Sequence, residues 1–317
     1  MSSLIERAAE RLEQLRQAGV DIVETAGAPQ SQPGHPLADA PAVLRQPSEA
    51  EVSGRGPAVT SRRVDLDLPA VAARGIVVPN APRSQLADQY RVIKRPLITN
   101  AMAKGAAAVK HGNLIMVTSA VAGEGKSFTA INLAMSIAAE LDHTVMLVDA
   151  DVARPSLPRM LGVPPGPGLL DVLKGSADMS SVLLRTNVDK LTILPSGTPH
   201  QRATELLASD AMRQLLEDIA TRYADRIIIF DSPPLLLTTE SRVLASQMGQ
   251  VVMVVQADKT LQSDVEHALS TIEACPIRLM LLNQVRQDSK GSYAYGYGYG
   301  YGQGYGYGQE GQQAGPA

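Results

Sequence analysis

Six apolar runs, at 114–117, 145–148, 191–194, 227–230, 251–255 and 277–282, alternate with helix-like stretches at 127–141, 210–223, 240–248 and 262–274. The runs have the length and β-branched content of strands buried on both faces. Such strands separated by helices predict an α/β fold, a mostly parallel sheet with helices on both faces. Outside the C-terminal tail the aromatic residues are Tyr90, Phe128, Tyr223 and Phe230, so aliphatic side chains must build the core.

The rest of the chain divides around this pattern. Residues 1–20 form a short amphipathic helix: Ser3 and Glu6 make a capping box, Leu4, Ile5, Ala8, Leu12 and Leu15 an apolar stripe, and Gly19 a stop. Residues 21–83 are a Pro/Gly/Ala-rich linker and transition, 84–287 the folded domain, and 288–317 a tail. Seven of the nine tyrosines lie in that tail, Tyr293, Tyr295, Tyr297, Tyr299, Tyr301, Tyr305 and Tyr307, nearly all followed by glycine. Alternate glycines have much conformational entropy to lose and no aliphatic partners to offset it, so the phenols are expected to be displayed rather than buried. By itself the tract reads equally as a sticky low-complexity segment.

The first run leads through Thr118-Ser-Ala-Val-Ala-Gly-Glu-Gly-Lys126-Ser127 into a helix. Strand, glycine-bearing turn and helix are the setting of a P-loop, although Ala120 stands where the first glycine belongs. Backbone N–H groups there can face phosphates, Lys126 can carry charge to the β and γ oxygens, and Ser127 can offer a hydroxyl to magnesium. The second run ends in Asp149-Ala-Asp151 and the fourth in Asp231. Ligands of open parallel sheets sit at the carboxyl ends of the strands, so these three carboxylates should converge on the P-loop.

Other features exclude more than they assign. A net charge of -3 argues against nucleic acid as the main partner. The single Cys275 suits a reducing compartment, and the five histidines show no metal-ligand spacing. No stretch reaches 18 uninterrupted apolar residues and the N-terminus lacks a signal-like apolar region. The expectation is a cytoplasmic protein that reaches a membrane through a partner.

Together these motifs resemble the bacterial tyrosine kinases of polysaccharide export systems, over roughly residues 84–310, and most of all the exosortase-associated tyrosine autokinase subgroup. The resemblance implies a P-loop NTPase fold that binds ATP through Ala122, Gly123, Glu124, Gly125, Lys126, Ser127 and Phe128, with Asn283 near the base. It implies magnesium held by Ser127, Asp149 and Asp231, and Asp151 as base or orienting group for a tyrosine hydroxyl, with Lys126, Asp149, Asp151 and Asp231 as the catalytic set. The tail tyrosines become phosphoacceptors, modified by a neighbouring subunit in a homo-oligomeric ring. Asp88, Arg91 and Lys94 stand where that family has a Glu-x-x-Arg-x-x-Arg subunit contact, and Glu205-Leu-Leu also matches its pattern. Ala153 stands where the family has an arginine, which here follows as Arg154. Further implied partners are a membrane chain-length-determinant protein, acting as activator on a separate polypeptide, and a tyrosine phosphatase. A partition or cell-division type ATPase switch shares the three nucleotide motifs, but it carries a second lysine where this chain has Val121. A scaffold with a self-associating tail would leave the magnesium site without a use.

Overall fold

The computed structural model describes residues 61–79, 81–222 and 225–286. Eight strands form one sheet in the order β1-β4-β5-β3-β6-β2-β7-β8. They are β1 (Arg62–Val64), β2 (Leu114–Ser119), β3 (Thr144–Asp149), β4 (Leu184–Thr186), β5 (Leu191–Leu194), β6 (Arg226–Asp231), β7 (Gln250–Gln256) and β8 (Ile277–Asn283). Every neighbouring pair is parallel except β4 with β5. The mostly parallel P-loop NTPase fold expected from the sequence is therefore the observed one, and all six apolar runs are strands.

Side chains of successive strand residues point to opposite faces, and each face is covered. On one face Ile115, Val117, Val145, Leu147, Ile227 and Ile229 pack against α1 (Leu68–Ala73), α2 (Gln85–Ala101), α3 (Lys126–Ala138) and α4 (Leu157–Leu161). On the other, Leu114, Met116, Met146, Val148, Ile228 and Phe230 meet α5 (Leu169–Leu173), α6 (Met179–Val182), α7 (Ala203–Leu207), α8 (Asp210–Arg222), α9 (Thr239–Ala245) and α10 (Gln262–Ser270). The last strand departs from the expected double burial. As the sheet edge, β8 alternates half-buried and exposed residues and leaves Met280 and Leu282 largely open.

The folded unit also begins earlier than the expected Ser84. Within the segment taken as linker and transition, β1 pairs in parallel with β4, and Val64, Leu66, Val71 and Ile76 are buried. Asn187 extends the edge by hydrogen bonding both ways to Leu66, from Leu66 N to Oδ1 at 2.8 Å and from Nδ2 to Leu66 O at 3.0 Å. A three-residue strand and a six-residue helix are too short for periodicity to register. The proposed N-terminal helix and the tyrosine tail lie outside the described residues.

Helix α2 is fixed to α3 through Lys94. Its ammonium is buried, donates to Ser136 O at 2.6 Å and pairs with Glu140 Oε1 at 2.7 Å, which lowers the Glu140 pKa. A cation set against the C-terminal turn of α3 also complements that helix dipole. The expectation that Lys94 faces another subunit with Asp88 and Arg91 is corrected here: it is an internal clamp, whereas Asp88 and Arg91 pair with each other on an exposed face. Leu66→Ala should lower the stability of the folded unit by about 2–4 kcal/mol in urea unfolding followed by circular dichroism. An unchanged midpoint would put the start of the unit back at Ser84.

Candidate active site

Sheet register assembles the site before any side chain contributes. Strand β6 lies between β2 and β3, with Asp231 opposite Asp149 on one side and Val117 on the other. The carboxyl ends of three strands thus bring the two aspartates beside the loop that follows Ser119. Leu235 N donating to Ser119 O at 2.8 Å and Thr118 Oγ1 donating to Pro233 O at 2.8 Å tie the loop after β6 to the start of the P-loop.

The P-loop turns through Gly123 at φ 90° and Gly125 at φ 94°, left-handed backbone that side-chain-bearing residues seldom adopt. Lys126 opens α3 and reaches across to Asp151, with Nζ to Oδ2 at 2.7 Å, while Ser127 Oγ lies 3.4 Å from the same Nζ. Asp151 Oδ1 in turn accepts from Arg154 N at 3.2 Å. A cleft of about 650 Å³ opens above, lined by Ala122, Gly123, Gly125, Lys126, Ser127, Phe128 and Asp151 from the expected set. Arg154, Ser156, Arg159, Pro233, Pro234 and Leu237 are among the other wall residues.

Asp149 and Asp231 form the buried floor. Asp149 Oδ2 accepts from Leu157 N at 3.2 Å and Asp231 Oδ2 from Ser156 Oγ at 3.1 Å, but the Oδ1 atoms of both are buried without a partner. Burial, reinforced by Asp231, pushes the Asp149 carboxyl up to about 8. Burial likewise raises Asp231 to about 6, restrained by Lys126 and the Ser127 hydroxyl. Two orphaned carboxylate oxygens beside a serine hydroxyl fit a hard divalent cation. Among the described residues no group of three His, Cys, Asp or Glu could hold a metal unaided. Magnesium binds through one or two carboxylates, waters and substrate phosphates, and Asp149, Asp231 and Ser127 are the protein groups this site offers it.

Two members of the expected nucleotide set sit differently. The Glu124 carboxylate turns from the cleft and accepts from Val121 N at 2.8 Å, Gln256 N at 3.3 Å and the Thr260 hydroxyl. Glu124 can therefore offer a nucleotide its backbone but not its side chain. The Asn283 amide donates to Glu124 O at 2.9 Å, so it buttresses the loop instead of lying free for a base. Sequence reasoning missed Ser156, whose only signal is its place just before the helical Leu157–Leu161. It gave no role to Gln284, although the Leu282-Asn283-Gln284 run matches the family pattern.

Known proteins extend this picture. A family model described as "ParA: NUBPL iron-transfer P-loop NTPase" matches residues 110–283. The tyrosine-protein kinase YwqD of Bacillus subtilis is 31% identical over 207 residues, which cover 65% of this chain and 84% of YwqD. The chain belongs to the bacterial tyrosine kinase family. Within the wider P-loop NTPases it shares the ParA-type domain. It is also 32% identical over 224 residues to the succinoglycan biosynthesis transport protein ExoP of Rhizobium meliloti, 69% of this chain but 27% of that longer relative. The crystal structure of the VpsO kinase domain superposes at a TM-score of 0.51 with 27% identity, covering 64% of this chain and 100% of that domain.

The raised carboxyls set a pH dependence. An Asp that keeps its proton in the fold after the unfolded chain has lost its own, near pH 3.9, makes the native state bind more protons. Stability of the ligand-free protein should therefore fall as pH rises from about 4 to 8, and Asp149→Asn should flatten the slope. Urea titrations at several pH values check this. A slope identical in wild type and Asp149→Asn would contradict the assignment.

Proposed function

We propose that this chain is an ATP-dependent protein-tyrosine autokinase that phosphorylates its own tyrosine-rich tail from one subunit to the next. The observation that carries the reading is the cleft at the strand ends, lined by Lys126, Ser127 and Asp151 with Asp149 and Asp231 buried at the ends of β3 and β6 beside it, in a chain that carries seven tyrosines between 293 and 307. Family membership supports the activity.

In this mechanism the Lys126 ammonium exchanges its 2.7 Å bond to Asp151 for the β and γ phosphate oxygens of ATP. Asp149 and Asp231, as carboxylates, would hold magnesium together with the Ser127 hydroxyl. Magnesium, when bound, neutralises charge on the β and γ oxygens. Freed from Lys126, Asp151 accepts the phenol proton, useful because the phenol has a pKa near 10. The phenolic oxygen bonds to the γ phosphorus, the bond to the β–γ bridging oxygen breaks, and ADP leaves with that electron pair. Pro233, Pro234 and Leu237 give the cleft an apolar wall against which an acceptor ring can lie.

A chain of about 20 residues can stretch to at most about 65 Å, long enough for the tail to reach an adjacent subunit. The exposed Asp88 and Arg91 on α2 are candidates for the contact that brings it near. Each phosphate adds about -1.5 to -2 charge, so a fully modified tail gains on the order of -10 to -14, which would loosen the oligomer. Such a cycle would regulate exopolysaccharide synthesis or export, a role suggested by the name of ExoP. A tyrosine phosphatase would reset it, and a separate membrane chain-length-determinant protein would activate the kinase and recruit it to the inner face of the membrane. Among the described residues no helix is long and apolar enough to cross a membrane. The ATPase-switch reading is disfavoured by Val121, where such switches carry a second lysine.

Incubation with ATP and magnesium followed by mass spectrometry should locate phosphotyrosine among Tyr293 to Tyr307 in wild type and none in Lys126→Met. Labelling of the Lys126→Met tail would overturn the catalytic assignment. Light scattering should give a smaller particle for phosphorylated than for unmodified protein. Equal masses would remove the proposed effect of charge on assembly.

A further inference from the structure

The last residue of β8 and the residue that follows it are bonded to the outside of the P-loop. Asn283 Nδ2 donates to Glu124 O at 2.9 Å, and Gln284 Nε2 donates to Gly123 O at 3.0 Å. Gln284 is itself held, since its Oε1 accepts from Gln256 Nε2 at 2.7 Å, and Ala257 N donates to Asn283 O at 2.9 Å. The fit is close enough that a Cβ at position 125 would lie 2.2 Å from Asn283 Nδ2. Gln284 adopts φ 57°, an uncommon conformation for a residue with a side chain, and it is this turn that carries its amide to the loop.

Peptide planarity gives these bonds a consequence for the phosphate site. In a trans peptide the carbonyl and the following N–H point in opposite directions. With the Gly123 and Glu124 carbonyls drawn outward to Gln284 and Asn283, the N–H groups of Glu124 and Gly125 turn to the other side, where Gly123 and Gly125 line the cleft. We propose that Asn283 and Gln284 are positioning residues for phosphate binding: their amides fix the orientation of two P-loop peptides so that successive N–H groups point at the nucleotide's phosphates. Gln256 acts one step further out by holding Gln284. This assigns to the P-loop the amide that the sequence resemblance placed near the base.

Titration calorimetry on the full chain separates the two roles, with magnesium-ADP and magnesium-pyrophosphate as probes. Binding is measured instead of phosphotyrosine, so the result does not depend on whether the chain is a kinase. Gln284→Ala should weaken both probes by the same factor, roughly threefold for a single exposed neutral hydrogen bond, and Asn283→Leu by roughly tenfold. Gln284→Met keeps the bulk of the side chain but donates nothing, so it should match Gln284→Ala; recovery of wild-type affinity by Met would assign Gln284 to packing and overturn the proposal. Gln256→Ala should give part of the Gln284→Ala loss, and the double variant no more than Gln284→Ala alone. Pyrophosphate affinity left intact while ADP affinity falls would make these residues readers of the nucleoside. No change with either probe would leave them without a role in binding. Gln284 is exposed, so its variants should fold even if Asn283→Leu does not.

Discussion

Three carboxylates share the carboxyl end of this sheet with one ammonium, and the surrounding structure is arranged about that imbalance. Parallel register sets Asp149 opposite Asp231, and the same burial that makes the central strands stable removes water from both. Burial raises both floor carboxyls, Asp149 to about 8 and Asp231 to about 6, and Lys126, bonded to Asp151, answers only part of the charge, so Asp149 is the one that keeps its proton at neutral pH. A site in this state is primed for a divalent cation and polyphosphate, which supply the missing charge and satisfy the two unpartnered oxygens.

The remaining elements hold that arrangement in place. The loop after β6 is hydrogen-bonded to the loop after β2, Ser156 and the backbone of Leu157 reach the floor carboxylates, and Glu124 ties the P-loop to β7. Outside the sheet, Lys94 clamps α2 to α3, the helix whose first turn carries Lys126 and Ser127. The P-loop is thus restrained from beneath by Glu124, from outside by Asn283 and Gln284, and along its helix by Lys94.

Much of this was legible in the sequence, for physical reasons that can be named. Central strands such as 145–148 and 227–230 are continuously apolar because both faces are covered, and aspartates at their ends mark where burial gives way to a site. What the sequence concealed follows from length or from tertiary context. The three-residue strands Arg62–Val64 and Leu184–Thr186 and the four- and five-residue helices between Leu157 and Leu207 are shorter than any period that could reveal them. The direction of Lys94 was hidden because a lysine on an amphipathic helix ordinarily faces water; only the carbonyl of Ser136 and the carboxylate of Glu140 make burial tolerable. The roles of Glu124 and Asn283 depend on which way a side chain turns at a loop, and spacing carries no record of that.

The central claim is that the phosphate site of one subunit acts on the tail of another, and mixing two defective chains tests it most directly. A full-length Lys126→Met chain has acceptors but no catalytic lysine, and a chain lacking residues 293–307 has the site but no acceptors. Incubated together with ATP and magnesium, they should yield phosphotyrosine on the tail of the Lys126→Met chain, resolved by mass, although neither is labelled alone. An unlabelled mixture, under conditions where wild type modifies its own tail, would contradict transfer between subunits.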